Sequence, residues 1–216
     1  TKFIQEALEH ERFNAGERTS GLVMEGGGEE YDLSTYPHKN VYIEVIDDPQ
    51  EVTTGELDNL RKKHRAERVV AELNGMMLVR DFYEKMPEDW EVWQEVMFAD
   101  ANTILTYNAN MRQLVVDKLS GCEMVVFNRV DPKMDIMPLH KLARAINRRV
   151  DIVYDHTDGT TEFDNIEDPL PFDINAPVIE IADDDYALFY RDITEEPQKY
   201  EGKKVHFKAQ VAHMKK

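Results

Sequence analysis

Apolar and polar positions alternate along the chain in a way that spells helices and strands in turn. The opening TKFIQEALEHER sets Phe3, Ile4, Ala7 and Leu8 at helical spacing, which predicts a helix from the first residues. Thr19 to Met24 (TSGLVM) is a short apolar run that stops at EGGGEEYD, a glycine and carboxylate cluster predicted as loop. VYIEVID, from Val41 to Asp47, reads as a strand, and a polar helix follows through about Lys63. A short buried strand over Val69 to Ala71 ends at Glu72, and NGMM breaks the pattern before a helix from about Leu78 to Lys85. Val92 to Phe98 predicts a strand ending near Asp100. Thr103 to Leu119 predicts one long helix carrying Ile104, Leu105, Met111, Leu114, Val115 and Leu119. MVVFN, from Met124 to Asn128, is nearly continuously apolar, so it is predicted to be buried on both faces of a parallel sheet. A helix over Leu139 to Ile146 and a strand over Val150 to Asp155 complete the series.

Strands alternating with helices over residues 1–155 predict an α/β fold: a doubly wound, mostly parallel sheet with right-handed crossovers. Ligands of such sheets bind at the carboxyl ends of the strands. Those ends hold Glu25, Glu72, Asp100 and Asn128, each directly after an apolar run, although any strand must stop at something polar. From Asp155 the sequence turns to DHTDGTTEFDNIEDPLPFDINAP, rich in Asp, Thr and Pro, and residues 156–177 are predicted as a linker. PVIEI, a short helix near Asp183, and a half-buried strand with Val205, Phe207, Ala209 and Val211 form a second unit over 178–216. Two strands are too few for an independent sheet, so this smaller α+β domain is predicted to be incomplete or packed on the first.

Charge narrows the partners. Lys and Arg number 26 against 43 Asp and Glu, a net charge of −17, which excludes duplex nucleic acid and an anionic membrane surface. The single cysteine, Cys122, can form no disulfide within the chain and reads as a small core residue; a reducing, cytoplasmic location is expected. No apolar run approaches the roughly 20 residues of a membrane-spanning helix. The 7 histidines form no HExxH, and His206 and His213 are expected at a surface or edge. Trp90 and Trp93 read as packing residues, RKKHRAER as a solvated helix end, and Met76, Met77, Met134 and Met137 as loop packing.

Two motifs carry chemistry. Asn128-Arg129-Val130-Asp131 follows the strand MVVF. Guanine presents two adjacent donors, N1–H and the exocyclic amine, and one carboxylate such as Asp131 accepts both. Asn128 reaches the neighbouring edge, and the stem of Arg129 packs over the base plane, as in the NKxD guanine motif with Arg for Lys. A plain strand-to-turn junction is the alternative. Glu72-Leu73-Asn74-Gly75 follows the strand VVA. A carboxylate there can hold a magnesium-bound water, and a glycine three residues on lets its amide approach a γ-phosphate, as in DxxG; an ordinary turn glycine is the alternative.

The opening helix, EGGGEEYD, AELNG, MFADANT and VVFNRVDP, in this order, resemble the CobW-type GTP-binding proteins, a P-loop family of GTPases linked to metal insertion and homeostasis. The similarity is greatest to a bacterial subgroup whose GTPase domain precedes a domain like the C-terminal part of YcgQ-like permease subunits, here YRDITEEPQKYEGKKVHFKAQV. The resemblance implies a GTPase of P-loop NTPase type with GTP and magnesium as ligands. Asn128, Arg129 and Asp131 would read guanine, Glu72 would hold magnesium through a water, Gly75 would serve the γ-phosphate, and Glu25 to Asp32 would be a switch loop. Asp100 matches a strand end of the family without an assigned role. The implied partner is a membrane permease or a metalloprotein client. No GxxxxGK[ST] occurs in the sequence; the resemblance places that loop directly before the opening helix, so that Thr1 is its last residue and 1–155 a GTPase domain lacking the P-loop strand. The family's Cys-x-Cys-Cys motif is also missing, which counts against transfer of soft metals. A nucleotide-binding module without hydrolysis and a non-enzymatic interaction protein are the rival readings.

Overall fold

β1 (Thr19–Val23) is buried at all five positions because it is the middle strand of a three-stranded parallel sheet, flanked by β2 (Val41–Val45) and β3 (Arg68–Glu72). The computed structural model describes residues 2–24, 31–46, 48, 52–166 and 170–209. The strand carries Gly21 where β2 comes close: a Cβ there would lie 2.5 Å from Ile43 Cδ1. Helix α1 (Lys2–Glu9) precedes β1 and buries Leu8 against Tyr36 and Val41, the apolar stripe read from its spacing. Helix α2 (Thr54–His64) joins β2 to β3. It starts on a capping box, in which Thr53 Oγ1 accepts from the Glu56 amide and the Glu56 carboxylate accepts from the Thr53 amide at 2.8 Å. The basic run at its end is tied down by carboxylates: Arg61 to Asp58 and Asp89, and Lys63 and His64 to Glu44.

After β3 the chain makes a turn and a short helix, α3 (Val79–Tyr83), and then enters a second sheet of four strands. In this sheet β4 (Val96–Asp100), β5 (Met124–Val130) and β6 (Asp151–His156) run parallel, and β7 (Thr161–Phe163) closes the edge antiparallel to β6. Val125, Val126 and Phe127 are all buried, as the unbroken apolar run of β5 predicts for a central parallel strand. Helices α5 (Arg112–Gly121) and α6 (Met137–Ile146) cover this sheet with Val115, Leu119, Leu139, Leu142 and Ala143. Cys122 lies in the same core, where burial pushes its thiol up to about 12.

The architecture is thus mixed α/β with parallel-dominated sheets. It departs from the sequence pattern at five places, the first being that the one sheet expected over 1–155 is two among the described residues, of three and four strands. The single helix over 103–119 is two: α4 (Ile104–Asn110) and α5, separated at Met111, whose φ −132 and ψ 48 are not helical. Asn108 and Asn110 just before the break are weak helix formers, and the Asn110 amide turns back onto the Thr106 carbonyl at 2.8 Å. β4 begins at Val96 rather than Val92, so Trp90 packs beside a core cluster whereas Trp93 is 90% exposed. β5 runs on through Asn128 and Arg129. Residues 161–163, expected in a linker, form β7 and extend the first compact unit to Asp164, beyond the expected boundary at 155.

The second unit, Asn165–Lys216, holds β8 (Ile179–Glu180), a 3₁₀ turn over Asp183–Asp185, α7 (Tyr186–Glu195), a second 3₁₀ turn and β9 (Val205–His206), which pairs parallel with β8. Its core is Phe172, Ile179, Ile181, Phe189 and Tyr200. Of the last predicted strand, Val211 and His213 fall outside the described residues. No helix among the described residues is long and apolar enough to cross a membrane.

The end of β7 is fixed by a buried acid. Asp164 accepts from the Tyr154 hydroxyl at 2.8 Å, meets His140 Nδ1 at 3.0 Å and lies 3.5 Å from an Arg144 nitrogen. Asp164→Ala leaves these buried donors facing a hole, and it is expected to lower unfolding free energy by about 3–5 kcal/mol. Urea denaturation followed by circular dichroism measures this; a loss under about 1 kcal/mol would show that the cluster is a passive one.

Candidate functional site

Because β4, β5 and β6 are parallel, their carboxyl ends fall on one side of the second sheet, and the register sets Asp100 opposite Asn128. Four polar residues meet there. Arg129 donates to Asp100 Oδ2 at 2.6 Å, Asn102 caps the same carboxylate through its backbone amide at 2.9 Å, and the Asn102 side chain donates to the Arg129 carbonyl at 3.2 Å. Burial raises the Asp100 pKa, but the Arg129 guanidinium and the Asn102 donors outweigh it and hold the carboxyl below its ordinary value. Arg129 adopts φ 56, the left-handed region, at the irregularity where the β5–β6 register shifts between Phe127 and Val130. A non-glycine residue in that region marks a site where the surroundings fix the backbone against its preference.

Asn128 stands at the carboxyl end of β5 with its backbone carbonyl bound to the Ala101 amide at 3.0 Å. Its side-chain oxygen Oδ1 is buried and has no hydrogen-bond partner among the described residues. Asp131 is exposed just beyond the strand, and its Oδ1 accepts from the Lys133 amide at 2.8 Å in a turn that leads towards α6. The structure therefore brings Asn128, Arg129 and Asp100 together and leaves Asp131 beside them on the turn. It turns Arg129 onto Asp100, a pairing that the sequence reading did not include.

Glu72 ends β3 in the other sheet. Its backbone carbonyl accepts from the Met24 amide at 2.9 Å, and its side chain accepts from the Tyr31 hydroxyl at 2.7 Å. The following turn is fixed from α5: Lys118 Nζ donates to the Met77 carbonyl at 2.8 Å, and Asp117 accepts from the Val79 amide at 2.6 Å. Gly75 lies in this turn, and Asn74 Oδ1 accepts from the Met76 amide at 2.8 Å. A half-buried carboxylate is the hard oxygen donor that a magnesium-bound water takes, so Glu72 fits that role. Among the described residues no group of three or more His, Cys, Asp or Glu is placed to hold a metal by itself.

Of the residues expected in a switch loop, Glu25 lies outside the described residues, as does Thr1 of the expected nucleotide site. Asp32 is described. Its Oδ1 accepts from the Ser34 hydroxyl at 2.6 Å and amide at 2.9 Å, which holds its pKa below the ordinary value. Tyr31, Gln5, Asn102 and Lys118 carry this arrangement and were missed in the sequence, because each acts on a partner more than twenty residues away that no local pattern announces. Comparison with family models, curated proteins and solved structures finds no match to the chain.

Two measurements test the Asp100–Arg129 arrangement. Arg129→Gly is expected to be more stable than Arg129→Ala by about 1 kcal/mol, since only glycine takes this φ without a Cβ clash; equal stabilities in urea would show the backbone to be unstrained. In Arg129→Ala the Asp100 carboxyl, followed by carbon NMR, is expected to titrate closer to the ordinary 3.8. Its folded pKa is depressed in the wild type, so the stability it adds is present above 3.8 and fades as pH falls through the depressed value.

Proposed function

We propose that the protein binds GTP with magnesium and hydrolyses it, and that nucleotide state is coupled to a partner, a transport subunit or metalloprotein client. The observation that carries the reading is the place of Asn128 at the carboxyl end of a parallel strand, three residues before Asp131, with its Oδ1 buried and unpartnered among the described residues. A buried acceptor without a donor costs roughly 1–3 kcal/mol, so its donor has to come from a group other than the described residues. In this reading Asp131 accepts the two guanine donors, the Asn128 amide donates to the acceptors of the adjacent edge, and the stem of Arg129 lies over the base while its guanidinium stays on Asp100. Glu72 orients a water, and Gly75 leaves the backbone room beside the terminal phosphate. Magnesium, when bound, supplies neutralisation of the phosphate charge.

Sheet topology supports the same reading. Among the described residues β3 pairs only with β1, and β4 only with β5, so each presents an unpaired parallel edge. The strands that carry Glu72 and Asn128 both run parallel to their neighbours, and both residues stand at carboxyl ends, where parallel sheets take their ligands. A second reading, an interaction protein with no nucleotide, is favoured by the turn bond of Asp131, which an ordinary strand-to-turn junction also makes.

Calorimetry of the natural full-length protein with GTP, GDP and ATP separates the two. The GTP reading expects guanine preference and a loss of about 1–3 kcal/mol in Asp131→Asn, where one acceptor becomes a donor. Equal affinity for ATP and GTP would remove the reading. Glu72→Gln keeps the volume and removes the charge, and it is expected to lower kcat by roughly 10- to 1000-fold while thermal stability stays within about 1 kcal/mol. Normal turnover, or a variant that unfolds, would make Glu72 a structural residue.

A further inference from the structure

Residues 31–36 cross α1 as a polar strap, and one side chain of the helix holds most of it. Gln5 Oε1 accepts from the Asp32 amide at 3.1 Å and from the Tyr36 hydroxyl at 2.8 Å. Gln5 Nε2 donates to Thr35 Oγ1 at 2.8 Å and to the Asp32 carbonyl at 3.1 Å, and Thr35 Oγ1 donates in turn to Glu9 at 2.6 Å. Tyr36 is buried against Leu8 and Val41, which anchors the far end. The near end places the Tyr31 hydroxyl 2.7 Å from Glu72 Oε2, so the strap links α1 directly to the last residue of β3.

We propose that this strap is a latch: the Tyr31 hydroxyl competes with a magnesium-bound water for the Glu72 carboxylate, so that release of Tyr31 favours engagement of magnesium and a nucleoside triphosphate. The inference rests on the nucleotide reading of Glu72 and adds the regulation of that carboxylate. A carboxylate oxygen that accepts a phenol at 2.7 Å has less capacity for a metal-bound water, since both donors compete for the same charge. Hydrogen bonds to charged groups are strong enough that removing the competitor has a measurable effect. Tyr31 is thus a positioning residue, acting through Glu72, and Gln5 sets how firmly the strap is held.

Two variants and one spectroscopic probe, all in the natural full-length protein, test the latch. Tyr31→Phe removes only the hydroxyl; it is expected to lower the magnesium concentration that half-saturates GTP turnover by roughly 3- to 30-fold. Gln5→Ala frees the strap without touching Tyr31 or Glu72, and it should shift the magnesium requirement in the same direction. In a Glu72→Gln background Tyr31→Phe should have no effect on magnesium dependence. With 3-fluorotyrosine at position 31, the fluorine resonance should move on adding GTP with magnesium and move much less with GTP and a chelator. Binding of GTP, seen by calorimetry, with a fluorine signal that stays in place, or a magnesium requirement that is unchanged or raised in Tyr31→Phe, overturns the latch and leaves the GTP reading standing. No binding of GTP at all overturns both. A melting curve of each variant identifies a loss caused by unfolding, and in that event the fluorine signal of the otherwise unaltered protein decides.

Discussion

Parallel pairing of β5 with β4 on one side and β6 on the other is the constraint on which the rest of this molecule depends. A parallel strand sends its chain onward from the same end as its neighbours, and each return demands a helix across the face. The helices α5 and α6 follow from that demand, and so does the core they enclose. So does the gathering of polar residues at one rim, because a sheet buried on both faces leaves only its strand ends for groups that need water or a ligand. Asp100, Asn102, Asn128 and Arg129 meet there because register places strand ends side by side.

Much of this was legible in the sequence. β5 announced itself by an unbroken apolar run and α1 by its helical stripe, and both patterns depend on residues close in sequence. What stayed hidden has one physical character. The break at Met111 follows an asparagine, Asn110, whose side chain bonds a backbone carbonyl, which a count of apolar positions does not register. β7 is three exposed residues in a stretch rich in Asp and Thr, and it exists because β6 offers it an edge. Asp164 looks like one more linker acid. Its burial comes from Tyr154, His140 and Arg144 converging on it.

The two candidate motifs differ in the same way. Asn128 to Asp131 could be named from four consecutive letters, and the structure added that Arg129 takes a left-handed backbone and turns onto Asp100. Glu72 could be named from its place after an apolar run. Its surroundings could not, since Tyr31 reaches it across 41 residues and Lys118 braces its turn from another helix. Local sequence identifies which side chains end a strand; the chain's return paths decide what those side chains touch.

Cys122 has a further consequence. It is the one thiol in the chain, it sits buried where α5 gives way to β5, and burial raises its pKa further above neutral pH. A protonated, enclosed thiol reacts with a disulfide reagent only when its surroundings open. The protein therefore carries a built-in clock for the breathing of its second sheet: the labelling rate of the native chain reads the free energy of that opening with no engineered probe.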